Sequence, residues 1–116
     1  MDWKQLTSAS EIDEAKNESS KRPVIIFKNS NRCSISHAAL SDFERDLETS
    51  PALDADFYML DVVAYRPVSQ QVAEVFDVAH QSPQLLIIKN GQCIFHDSHF
   101  GINLKDVIDR VDEKVI

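Results

Sequence analysis

The residues with the most chemical promise are Cys33 and, three positions on, Ser36. They lie in the stretch Asn29-Ser30-Asn31-Arg32-Cys33-Ser34-Ile35-Ser36. An apolar run, Val24-Ile25-Ile26-Phe27, precedes it, and a helical pattern, Ala38, Ala39, Leu40, Phe43, Leu47, follows. A cysteine in that place sits where a buried strand turns into a helix. Free backbone N–H groups and the helix dipole favour a thiolate there. Arg32 adds a neighbouring positive charge. The spacing Cys33-x-x-Ser36 is that of a redox turn in which the second sulfur has become a hydroxyl. Serine forms no disulfide, so a small thiol or a distant cysteine must resolve Cys33. Ser36 either donates a hydrogen bond to the thiolate or satisfies its own backbone as a first-turn serine.

Other reactive side chains are weaker candidates. Cys93 alternates with Phe95, which puts both on one strand face and reads as core packing rather than as a resolving thiol. His37, four residues after Cys33, shares a helix face with it and is expected to be partly exposed. Cys33, His37, Cys93 and His96 lack compact zinc spacing, so no metal is expected, even with His80 and His99 counted. Asp61 interrupts an apolar strand and reads as a strand-end charge facing solvent, with no catalytic task. Lys28 and Arg32 are the better cations for holding an anionic ligand. Ser82-Pro83 follows a helix and precedes a buried strand. Proline cannot donate to a ladder, so its bond is either cis or at an element boundary.

The elements that must position these residues follow from patterning. Trp3 and Leu6 form a short edge strand or simply pack down. Ser8 and Glu11 make a capping box for a thinly apolar helix carrying Ile12 and Ala15. Val24 to Lys28 is continuous and β-branched, as in a central strand covered on both faces. A second helix runs from about Ser34 to Leu47 on the stripe Ile35, Ala39, Phe43, Leu47, and Ser50-Pro51 stops it. A strand lies within Asp56 to Val63. Pro67 leads into a third helix, with Ser69 as cap and the stripe Val72, Val75, Phe76, Ala79. Leu85 to Ile88 is an apolar strand, Asn90-Gly91 a hairpin signal, and Gln92 to His96 the returning strand. Asn103 caps a last helix with the stripe Leu104, Val107, Ile108, Val111, Val115. The order (β)α-β-α-β-α-β-β-α predicts an α/β fold of the thioredoxin type, a small mixed central sheet with helices on both faces.

Composition narrows the class. A chain of 116 residues with 43 % apolar side chains suits one globular domain, taken as residues 1–116. Its formal charge of −7 and its lack of a basic run argue against nucleic acid as a partner. No stretch has transmembrane length and the start lacks an apolar leader, so no membrane partner and a cytoplasmic location are expected. Two cysteines do not make a secreted disulfide framework. A monomer is the default.

With Cys33 and Ser82-Pro83 both in place, the sequence resembles the YtxJ family, the monothiol bacilliredoxins of low-G+C Gram-positive bacteria. The matching residues are Ile26-Phe27-Lys28, Arg32-Cys33-x-Ile35-Ser36, Ser82-Pro83-Gln84, Ile88-Lys89-Asn90-Gly91 and Ser98-His99, and the resemblance covers nearly the whole chain. The resemblance implies a thiol–disulfide oxidoreductase with no bound cofactor and with bacillithiol, a glucosamine–malate–cysteine thiol, as co-substrate. Cys33 would take the reactive position and remove bacillithiol from S-bacillithiolated client proteins through a mixed disulfide. A disulfide reductase is a further implied partner. Pro83 would be the loop proline facing the thiol, its bond to Ser82 cis, with Ser36, Arg32 and Ser82 in support. Lys28, Ser34, Gln84 and His99 would border the ligand groove. Ser34 departs from the family, which usually has proline or another small residue there, and it alters the rigidity of the turn.

Two other functions fit the turn. One is a glutaredoxin-like protein that uses glutathione or carries an iron–sulfur cluster. The cluster-binding forms normally have a glycine and an aromatic residue where this chain has Ser34 and Ile35. The other is a non-enzymatic thioredoxin-like docking module that binds extended peptide around Pro83.

Overall fold

The computed structural model describes residues 3–50 and 53–111. Pro51 and Val115, read above as a helix stop and a stripe position, lie outside the described residues. The elements are β1 (Lys4–Gln5), α1 (Ala9–Glu18), β2 (Val24–Asn29), α2 (Ser34–Glu48), β3 (Asp56–Asp61), α3 (Arg66–Phe76), β4 (Gln84–Lys89), β5 (Gln92–Ser98) and α4 (Leu104–Val111), with a 3₁₀ turn at His99–Gly101. The strands form one sheet in the order β1-β3-β2-β4-β5. β2 runs parallel to β3 and antiparallel to β4, while β4 and β5 form the antiparallel hairpin. This is the mixed α/β sheet that the element order predicts.

β2 is central and its side chains alternate between two cores. Val24 and Ile26 enter one core with Ile12, Ala15, Val68, Val72 and Phe76, so α1 and α3 cover that face. Ile25 and Phe27 enter the other with Phe43, Leu104 and Val107, so α2 and α4 cover the opposite face. Trp3 joins Phe27, Phe43 and Phe57 in an aromatic cluster whose ring centroids lie 5.5–6.3 Å apart. By the same alternation Lys28, at the end of β2, points to the α1/α3 side. That one residue carries a charge into the core.

Local signals set the ends of the elements. Ser8 caps α1 by accepting from the Glu11 N–H, while Glu11 accepts from Ser8 and Thr7. Asn90 and Gly91 both have positive φ, 52° and 77°, the signature of the tight hairpin turn that Asn-Gly favours. Asn103 accepts from the Asp106 N–H at the start of α4.

Four local expectations need correction. Ser69 is no cap: α3 starts at Arg66 after the N-cap Tyr65, because Pro67 fits the first turn, and Ser69 is buried inside the helix. Val75 is exposed, since the buried stripe of α3 is Val68, Val72 and Phe76, and Ala79 falls beyond the helix. Ile35 also sits at the surface, because the first turn of α2 buries Ser36 instead. Finally, Cys93 packs with the α1/α3 core and Phe95 with the α2/α4 core. The register slips between Ile87 and Ile88: Phe95 pairs with Ile87, but Cys93 pairs with Ile88. This bulge adds one residue, Ile94, and so puts residues two apart on opposite faces.

Candidate active site

Cys33 is the N-cap residue of α2, extended at φ −114° and ψ 121°, and half-buried. Its own N–H donates to the Ser30 carbonyl at 3.2 Å, and its carbonyl accepts from the His37 N–H at 3.1 Å. The sulfur therefore faces the free N–H groups of the first turn. The N–H of Ser36, then that of Ile35, pull the thiol below its ordinary pKa; partial desolvation opposes them, and the Ser36 side chain adds a smaller lowering. The first turn of α2 has no acidic residue, so no carboxylate competes with the thiolate for the helix end. Ser36 is fully buried, and its Oγ has no hydrogen-bond partner of ordinary geometry, which leaves the sulfur as its available acceptor.

The turn is tied down from the β3 end. Asp61 accepts from the Val63 and Ala64 N–H groups, both at 3.0 Å, and from Asn31 Nδ2 at 3.2 Å. Its carboxylate thus joins the β3–α3 turn to the cysteine loop. It is a structural clamp, and an Asx-type turn at a strand end is the signal that could have found it.

A cleft of about 530 Å³ opens beside the sulfur. Ser30 and Cys33 line it from the cysteine loop, Val62, Val63 and Arg66 from the β3–α3 turn and the start of α3, and Ser69, Gln70, His80 and Ser82 from α3 and the loop after it. Ser82 precedes a cis bond to Pro83, as the resemblance implies, and its buried Oγ has no partner. Pro83 is buried, and its carbonyl accepts from the His99 N–H at 3.0 Å. So Cys33 and Ser82 share the cleft, with Ser36 and Pro83 immediately behind them.

The proposed groove residues are placed differently. Lys28 is wholly buried and does not line the cleft; its Nζ donates to the Ser69 carbonyl at 3.1 Å and contacts His80 Nδ1 at 3.2 Å. Burial pushes Lys28 down to about 8. Gln84 is buried too, and braces the Pro83 loop by donating to the Ala79 carbonyl and accepting from the Gln81 N–H. Strand alternation sends both side chains inward, which a short apolar run with polar ends does not reveal. Arg32 and Ser34 are exposed at the rim, outside the cleft lining. His99 is half-buried with φ 55° and reaches the loop through its backbone.

Of the nine residues that line the cleft, only Cys33 and Ser82 were in the sequence reading of the site, and two of those it missed are basic. Arg66 stands at the first position of α3, where a cation opposes the dipole, and that misfit was its available signal. His80 lies on the loop after α3; burial first, then Lys28 and Arg66, hold its pKa below the ordinary histidine range. Cys93 stands apart in β5: its Sγ–H donates to the Phe95 carbonyl at 3.3 Å, and burial pushes the thiol up.

Comparison with known proteins places this arrangement in a family. The family model described as monothiol bacilliredoxin BrxC matches residues 4–107. The chain belongs to the monothiol bacilliredoxin family. A solved structure described as a candidate oxidoreductase with a thioredoxin fold is 29 % identical, with a TM-score of 0.78 over 95 % of this chain and 93 % of its own. Thioredoxins from Malassezia sympodialis and Fasciola hepatica share the fold. The first has TM-score 0.74, 20 % identity, and coverage of 95 % of this chain and 90 % of that one. For the second the values are 0.72, 18 %, 94 % and 99 %. Family and fold together support a redox function for this bacilliredoxin. Among the described residues no helix is long and apolar enough to cross a membrane.

Proposed function

We propose that this bacilliredoxin removes bacillithiol from S-bacillithiolated proteins by thiol–disulfide exchange at Cys33. The observation that carries the reading is the setting of Cys33: a half-exposed sulfur at the edge of an open cleft, its pKa lowered by the N–H groups of the α2 first turn. The thiolate attacks the bacillithiol sulfur of the client disulfide. A bond forms from Cys33 to bacillithiol, and the client sulfur leaves reduced. A second bacillithiol then displaces the first, restoring Cys33 and forming the symmetrical bacillithiol disulfide.

The surroundings support a small-thiol partner. Ser36 occupies the place of a resolving sulfur and cannot act as one. Cys93 is on a different element, and its raised pKa keeps it a protonated thiol. Resolution therefore falls to an external thiol. Arg66 has no ion pair among the described residues and faces the cleft, where it suits the malate carboxylates of bacillithiol.

The test is to mix reduced protein with a bacillithiolated model protein and follow both intact masses, with Cys33→Ala alongside. The expected result is transfer of one bacillithiol to the wild type, its loss from the client, and neither event in the variant. Retention of bacillithiol on the client while Cys33 still alkylates would reject the reading. It would turn attention to glutathione, a cluster, or peptide docking at the Pro83 loop.

A further inference from the structure

Lys28, Ser69 and His80 form a connected polar group: Ser69 and His80 line the cleft that Cys33 also lines, and Lys28 stands buried behind them. Lys28 Nζ lies 3.1 Å from the Ser69 carbonyl and 3.2 Å from His80 Nδ1, and Ser69 Oγ lies 3.2 Å from the same Nδ1. A lysine ammonium has protons to give and no lone pair. Nδ1 must therefore accept, and the ring proton of the neutral imidazole resides on Nε2. The buried edge of the ring faces Lys28, while His80 itself lines the cleft that Cys33 lines. A lysine wholly out of water is rare without an anionic partner, and among the described residues no carboxylate is bonded to this one. The charge is retained in the core, and its hydrogen bonds lead toward the site of exchange.

We propose that Lys28 and His80 form a proton relay that protonates the sulfur expelled when Cys33 attacks a disulfide. The proposal rests on Cys33 as the exchange thiol, but not on bacillithiol as its partner. As the Cys33–sulfur bond forms, the disulfide bond breaks and the leaving sulfur departs with the electron pair. It takes the proton of His80 Nε2. Nδ1 takes a proton from Lys28 Nζ, which is left neutral until Nε2 recovers a proton from cleft water and Nδ1 returns its own to the amine. The imidazole ends neutral with its proton on Nδ1, which now donates to the uncharged Lys28 amine, so the hydrogen bond survives with its direction reversed. Ser69 Oγ can rotate to suit either state. The exchange stays redox-balanced: one disulfide and one thiolate become a new disulfide and a thiol.

The charges facing His80 favour this direction. Burial first, then Lys28 and Arg66, disfavour an imidazolium, so His80 passes protons without storing one. Lys28, held at about 8, is close to an ordinary thiol of about 8.5, so transfer from one to the other is nearly balanced. Neither Ser36 nor Cys93 is placed to supply a proton to a sulfur leaving into the cleft. In this scheme His80 touches the leaving sulfur, and Lys28 acts through it.

The decisive experiment compares leaving groups. Reduced wild type, His80→Gln and Lys28→Met are each reacted with two mixed disulfides that share the sulfur Cys33 attacks. One releases an alkyl thiol, the other a strongly acidic aryl thiol that needs no proton to leave. The expected result is a fall of roughly 100-fold in both variants with the alkyl disulfide, the usual contribution of a general acid. The aryl disulfide should slow by far less. An equal fall with both disulfides, or no fall with either, overturns the relay. His80→Gln changes an exposed position and keeps the test decisive if Lys28→Met folds poorly. Wild type inert to both disulfides overturns Cys33 exchange and the relay together. If both react as expected but a bacillithiolated client does not, the relay stands and the bacillithiol reading fails.

Discussion

Replacing Lys28 by methionine should make this bacilliredoxin more stable at neutral pH, not less. The side chain is completely buried at the end of β2. Burial brings its pKa from 10.5 to about 8, so below pH 8 the folded chain holds an ammonium away from water that the unfolded chain would hydrate. The gap between those values, at about 1.36 kcal/mol for each tenfold change in proton affinity, costs roughly 3 kcal/mol of stability at pH 7. Methionine matches the stem and fills the same space without the charge. It forfeits the contacts of Nζ with the Ser69 carbonyl and His80 Nδ1, worth about 1 kcal/mol. The expected gain is therefore about 2 kcal/mol, or roughly 8 °C in Tm for a chain of this size.

The pH dependence has a definite sign. Between pH 8 and 10.5 the unfolded state binds more protons at this lysine than the folded state does, so wild-type stability rises with pH through that window. The variant lacks that rise. Its advantage should shrink above pH 8 and be gone near pH 10. Urea unfolding of both proteins at pH 7 and pH 10 measures the difference, and other titrating groups cancel in the comparison. The reasoning is refuted if the variant is less stable at pH 7 by about 1 kcal/mol or more, or if the difference is the same at both pH values. A positive result would mark Lys28 as a charge retained at a cost to stability, as expected of a residue kept for function.

Three further outcomes are expected. Ser36→Ala should raise the Cys33 pKa only slightly, because the backbone N–H groups of Ser36 and Ile35 are the larger stabilisers, and iodoacetamide alkylation against pH should shift upward accordingly; an unmoved curve removes the hydroxyl from the account. Arg66→Ser should raise KM for a bacillithiolated client about fivefold, the effect of an exposed ion pair worth about 1 kcal/mol, and less at high salt. The same rise with a mixed disulfide lacking carboxylates would deny Arg66 an anion-binding role. Phe43→Ala, at a site only 2 % exposed between the aromatic cluster and α2, should lower stability by about 3–5 kcal/mol in urea unfolding. A loss below about 1 kcal/mol would show that the α2 face contributes little to the fold.

Sequence by itself determined the strand-turn-helix setting of Cys33, the buried β2 and β4, the Asn90-Gly91 turn and the Ser8 cap, and hence the α/β fold. These depend on periodicity and on side chains acting on their own neighbouring backbone, so a linear reading contains the physics. Tertiary structure alone decided which residues face the sulfur. Arg66 and His80 reach the cleft from either end of α3, more than thirty positions from Cys33, and only the parallel pairing of β2 with β3 brings that helix alongside. Lys28 and Gln84 changed roles for the same reason: at the end of a strand, a polar side chain is exposed or buried according to what packs over it. Here α3 closes over Lys28. The bulge at Ile94 separated Cys93 from Phe95, because one inserted residue reverses a period of two. Local chemistry thus identified the thiol, and long-range packing chose its neighbours.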